Sequence, residues 1–173
     1  MWAAREELPG GPDYPLRRRH FKTPEVAGGN TPHTGRTPLL FNADLTVGLV
    51  RPEVSGERYL ANGDGDDLFF IHRGGGVLLT WFGELRFQQG DYLCVPRSVP
   101  YRFQLDEAEQ YWLWMECRSG VRVPTQYRNP VGQLRMDAPY THRDFETPIL
   151  TSSPERDGPR AIISKRRDRF TIH

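Results

Sequence analysis

Four polar residues, Asn62, Asp66, Asp67 and Tyr101, flank or sit within the most heavily punctuated stretch of the chain. Asp66 and Asp67 open an apolar run that ends at Gly74-Gly75-Gly76, with Asn62 just before it and Tyr101 beyond the Pro96 and Pro100 turn. Asp67 is followed after six residues by Gly74, and Gly90 after five residues by Pro96, so a carboxylate and tight turns recur at close spacing in a stretch that is worth testing for a metal. Holding iron, zinc or manganese needs three or four convergent imidazole or carboxylate groups. His72 is the nearest imidazole, but its odd offset from Asp67 along one strand turns it to the opposite face. His20 and His33 are not at ligand spacing to each other or to acids. Asp67 alone cannot hold a metal. A carboxylate at a strand start beside glycines reads as a turn-capping or hydrogen-bonded acid. Tyr101, on an apolar face, reads as a core tyrosine whose hydroxyl finds Asp67 or Asn62.

The elements around these residues are short strands. The organising stretch, Asn62 to Tyr101, reads as one strand from the acid pair to Gly74, then Val77 to Trp81, Leu85 to Gln88 and Tyr92 to Val95, parted by glycine turns and Pro96. Before it, Leu45 to Val50 and Glu57 to Leu60 read as strands. After it, Tyr101 to Leu105 alternates strictly, with Tyr101, Phe103 and Leu105 on one face. Gln110 to Arg118 is apolar on both faces, so one face should line a barrel and the other should pack under the arm or against another subunit. The expected organisation is an irregular arm at 1–44, a metal-free barrel with a trailing extended segment at 45–150, and a linker with the first hairpin of a following β domain at 151–173. That hairpin reads as Ala161 to Ser164 and Arg169 to Ile172, and it suggests the first part of something longer.

Composition supports one all-β domain. The 173 residues carry 15 Pro and 17 Gly, and no window has a long apolar 3.6-residue period. The 23 Lys and Arg nearly balance 22 Asp and Glu, which gives no global reason to expect nucleic acid or an anionic membrane. Apolar runs fall short of the ~18–20 residues that cross a bilayer. The start, MWAAREELPGG, has charges where a signal peptide needs an apolar core, so a cytoplasmic location is expected. Cys94 and Cys117 make no disulfide framework and read as buried, inert thiols. Arg17-Arg18-Arg19-His20 reads as a solvated or subunit-contacting cluster, with an anion site as the sharper alternative.

The acid–glycine and glycine–proline spacings resemble the cupin superfamily of jelly-roll barrels. In that motif the histidine pair would fall on Leu60 and Asn62, or on Ala61 and Gly63, and the second-motif histidine on Tyr101. None is histidine. Asn62, Asp67 and Tyr101 therefore read as a polar remnant where a metal would have been, and no residue of this chain is expected to be catalytic, cofactor-binding or metal-binding.

HFKTPE, TPLLFNADLTVGLVRP, NGDGDDLFFIHRGGGVLLTWFGELRFQQGDYLCVPRSVPYRF, QYRNPVGQL and APYTHRDFETP together resemble the N-terminal half of homogentisate 1,2-dioxygenases, over essentially all of 15–173. The resemblance implies an enzyme that cleaves an aromatic ring with O2 in tyrosine and phenylalanine breakdown. It implies Fe(II) held by two His and one Glu in a C-terminal half absent from this chain, whose five histidines (20, 33, 72, 142 and 173) do not match that ligand motif. It further implies a metal-free N-terminal barrel, a small aromatic substrate for the full-length protein, and a trimer-based homo-oligomer. The alternative is a free-standing, metal-free cupin acting as a binding or assembly module. A third possibility is an unrelated cupin enzyme with bound iron or zinc.

Overall fold

The computed structural model describes residue 20 and residues 22–106, 109–150 and 158–173. Eleven strands are described: β1 (Arg36–Phe41), β2 (Leu45–Val50), β3 (Tyr59–Asn62), β4 (Asp66–Arg73), β5 (Gly76–Thr80), β6 (Gly83–Phe87), β7 (Tyr92–Val95), β8 (Tyr101–Leu105), β9 (Tyr111–Cys117), β10 (Ile162–Arg166) and β11 (Arg169–Ile172). Three single 3₁₀ turns are the only helical segments among the described residues. No helix there is long and apolar enough to cross a membrane.

The eight strands β2 to β9 form two sheets in the orders β2-β9-β4-β7 and β3-β8-β5-β6. Consecutive strands from β2 to β4, and from β6 to β9, alternate between the sheets, which is the double Greek key of a jelly roll. Each sheet is then lengthened at one edge. β1 adds antiparallel to β2, and the β10–β11 hairpin adds through a parallel pairing of β10 with β3.

Local sequence accounts for the roll. In β4, Asp67, Phe69 and Ile71 are buried and His72 is exposed, as period-two alternation requires. In β9 the even residues Trp112, Trp114 and Glu116 are buried, while Tyr111, Leu113, Met115 and Cys117 are half-buried. The inner faces interlock through aromatic rings, with Phe69 edge-on to Phe103 at 5.2 Å and Phe103 against Trp112 at 4.9 Å. Such pairs add about 0.5–1.5 kcal/mol each beyond their buried area. Gln110, at the head of β9, is buried. It accepts from the Gly75 N–H (3.1 Å) and donates to the Gly75 carbonyl (3.0 Å), tying β9 to the Gly74-Gly75 turn.

Two expectations change. Arg36 to Phe41, read as irregular arm, is a strand. Pro38 is tolerated because β1 is an edge strand, and its register slips between Pro38 and Leu40. Gly48 of β2 makes the close approach possible, since a Cβ there would meet the Thr37 carbonyl oxygen at 2.5 Å. Cys94, read as buried, is exposed, and Cys117 is only half-buried. Both alternate outward with Tyr92 and Met115, because the inward positions of β7 and β9 belong to Leu93, Val95, Trp114 and Glu116.

The second face of β9 is covered only in part. The Tyr111 hydroxyl donates to Thr23 Oγ1 of the arm at 2.7 Å, and the Arg51 guanidinium lies over its ring. The Arg17-Arg18-Arg19 part of the basic cluster lies outside the described residues.

Candidate functional site

The polar residues of the sequence reading gather at one end of the barrel. Asp67 points inward from β4 and is almost fully buried. Its Oδ1 accepts from Arg36 Nη1 (3.1 Å) and from Trp114 Nε1 (2.8 Å), and its Oδ2 accepts from the Tyr101 hydroxyl (2.5 Å). Arg36 Nη2 donates to the Tyr101 oxygen, so guanidinium, phenol and carboxylate close a triangle. The guanidinium also lies over the Trp114 ring at 4.7 Å and donates through Nε to the Pro32 carbonyl.

Asn62 joins a second network. Its side-chain amide donates to Glu116 Oε2 (3.0 Å), and the same oxygen takes the Lys165 ammonium of β10. Lys165 lies 3.8 Å from Asp64 and 3.3 Å from Asp168 as well. Asp67 and Glu116 are direct cross-strand partners on β4 and β9. Two inward carboxylates opposite one another repel unless each has a counter-ion. Arg36 supplies one and Lys165 the other. Sequence reasoning found Asn62, Asp67 and Tyr101 but missed Arg36, Trp114, Glu116 and Lys165. Glu116 had a signal, as the one acid within the apolar YWLWMEC run, in phase with Trp112 and Trp114. Arg36 and Lys165 had none.

Burial sets the electrostatics. Desolvation alone would pull the Arg36 guanidinium down, but Asp67, Tyr101 and Glu116 more than offset it and leave the group above its ordinary value. Burial, joined by the Asp67 charge, pushes the Tyr101 phenol well up, so it stays a neutral donor. His33 packs edge-on to Tyr101 at 5.3 Å. Burial, then the Arg36 charge, lowers it to about 3. The ring stands near the backbone of Arg58 and Tyr101, yet neither nitrogen reaches hydrogen-bond geometry.

A divalent metal does not fit this donor set. Both Asp67 oxygens are engaged by donors, one of them cationic, and a bound ion would sit beside two fixed positive charges. Among the described residues no group of three His, Cys, Asp or Glu side chains is arranged to hold an ion. What the arrangement does chemically is neutralise two buried acids with protein cations.

The sequence matches the family model described as homogentisate 1,2-dioxygenase, N-terminal, over residues 34–172. The chain belongs to the homogentisate 1,2-dioxygenase N-terminal family. It is 26% identical over 152 residues to a Saccharolobus solfataricus protein that carries the name of a dioxygenase, covering 87% of this chain and 39% of that protein. It is 28% identical over 118 residues to the homogentisate 1,2-dioxygenase of Legionella pneumophila, covering 67% of this chain and 27% of that enzyme. The chain thus spans well under half the length of these relatives. Among solved structures, a cupin-2 domain protein from Shewanella frigidimarina aligns over 48% of this chain and 79% of its own, at 18% identity and a TM-score of 0.42. The uridine complex of Streptomyces PAC13 aligns over 62% and 86%, at 14% identity and a TM-score of 0.49. The family membership relates this jelly roll to dioxygenases.

Proposed function

We propose that this chain is the N-terminal cupin portion of a ring-cleaving dioxygenase that opens homogentisate, or a close dihydroxybenzene relative, with O2 in tyrosine and phenylalanine breakdown. The Fe(II) that would bind substrate and dioxygen belongs to a C-terminal half outside these residues. The observation that carries the reading is the family match over residues 34–172, combined with a barrel whose two inward acids are already neutralised by Arg36 and Lys165. The role left to this barrel is structural: it supports the catalytic half and contributes to a trimer-based homo-oligomer in the cytoplasm. The half-buried outer residues Leu113 and Met115 of β9 support that role, since a sheet face of this kind is suited to cover.

The alternative, a metal-free binding or assembly module, is favoured by one observation. The buried core is assembled from the described strands themselves, with Ile163 and Phe170 of the β10–β11 hairpin packed against it. The test separates the readings. The 173-residue chain, purified and supplied with Fe(II), O2 and homogentisate, is expected to hold no stoichiometric iron and to show no turnover. The same assay on the chain joined to a C-terminal half from a family relative is expected to show turnover. Iron near one per chain, or turnover by the 173 residues alone, would refute the division of labour. Inactivity of the joined protein would favour the module.

A further inference from the structure

The outer face of the β10–β11 hairpin carries charge that the other described residues leave unanswered. The register sets Arg166 opposite Arg169 and Ser164 opposite Thr171, and Ile162 and His173 exchange both backbone hydrogen bonds. Alternation turns Ile163, Lys165 and Phe170 toward the barrel. It turns Ser164, Arg166, Arg169, Thr171 and His173 away, and with Arg167 these line an open concavity of about 780 Å³.

Like charges directly opposite on one sheet face are destabilising. Arg167 adds a third guanidinium at the turn, where it and Asp168 hold φ of 53° and 57°. The neighbouring acids are committed elsewhere. Asp168 takes Arg118 (2.9 Å) and Lys165 (3.3 Å). Asp64 accepts the backbone N–H groups of Arg167 (2.5 Å) and Asp168 (2.8 Å). Among the described residues, none of the three outward guanidiniums has a carboxylate within ion-pair distance. A hairpin that concentrates cations on one face and turns Asp168, its one acid, to the other lacks, among the described residues, the counter-charge of an anion.

We infer that this face binds a small anion of two or more negative charges, a di- or polyphosphate or a polycarboxylate. Guanidinium forks match the paired oxygens of both groups. The hydroxyls of Ser164 and Thr171 add donors between the charges. The concavity is of the size that takes small molecules. The inference does not rest on the dioxygenase reading.

Calorimetry and thermal melts of the 173-residue chain test it, with pyrophosphate and citrate as probes and NaCl holding ionic strength constant. Saturable binding near one anion per chain is expected, with a melting temperature that rises with either probe. The paired change R166Q/R169Q is expected to weaken binding about tenfold or more. In NaCl alone it should melt at the same temperature or higher, because it removes a repulsion. R167Q, at the turn, provides a second and milder variant should the pair disturb the hairpin. Preference for pyrophosphate assigns a phosphate ligand, and preference for citrate a carboxylate. No effect beyond matched NaCl, or equal binding by both variants, overturns the site. Tighter binding of a poly-glutamate peptide than of either probe overturns the small-anion assignment in favour of an acidic protein segment.

Discussion

His33 is a buried base with neither ring nitrogen hydrogen-bonded, and its position sets a pH dependence. In the unfolded chain it takes up a proton near pH 6.5. In the folded chain burial and the Arg36 charge delay that to about 3. Between those values the unfolded state binds more protons, so stability falls as pH falls, by about 1.4 kcal/mol per unit from this one group. Urea midpoints measured from pH 7 down to pH 5 should drop for the natural chain and drop less for His33→Leu. Parallel lines for the two chains would remove His33 from the account. Sequence reasoning took this histidine only as a non-ligand. Nothing local marks a lone imidazole for burial; its place comes from Tyr101 and Phe103, well over sixty positions away.

The strands were legible where glycine and proline set their ends. Tyr92 to Val95 and Tyr101 to Leu105 sit as the turns and alternation require. The same alternation could have placed Cys94 outward beside Tyr92, but residue type argued the other way. β1 was not legible, because Pro38 weakens it and the approach depends on Gly48 of its partner. The cations of the barrel were not legible either, since Arg36 and Lys165 are matched to acids 31 and 49 positions away. Lys165 is where the terminal hairpin matters most to the roll. Removing one partner of a buried pair costs about 3–5 kcal/mol, while neutralising both can be nearly free. Lys165→Met should therefore lower the chemical-denaturation stability by roughly that amount, and Lys165→Met with Glu116→Gln should recover most of it. A double variant as unstable as the single would mean that Lys165 acts through packing rather than charge.

At the scale of the molecule, the roll turns a broad apolar sheet face outward. Leu68 and Phe70 of β4, Leu113 and Met115 of β9 and the exposed Tyr92 of β7 share it. Its breadth fits the proposed oligomer better than a chain that works alone. Light scattering should find concentration-dependent association of the 173 residues, and Leu68→Glu should abolish it with little change in the melting temperature. A monomer at all concentrations would count against the face as an interface. The fold class was open to sequence because it follows from turn spacing. The filling of the barrel was not, because it depends on which distant strands bring charge to it.

The two ion pairs also set an order of events. The eight strands of the roll end at Cys117, yet one of their acids has no counter-ion until residue 165 has been made. A chain emerging from the ribosome carries Arg36 before Asp67, so that pair is ready as soon as its strands meet. Glu116 must wait for a hairpin that docks on β3, about a hundred positions upstream. Until then Glu116 has only the Asn62 amide to answer its charge, and Lys165 is the latch that closes that end.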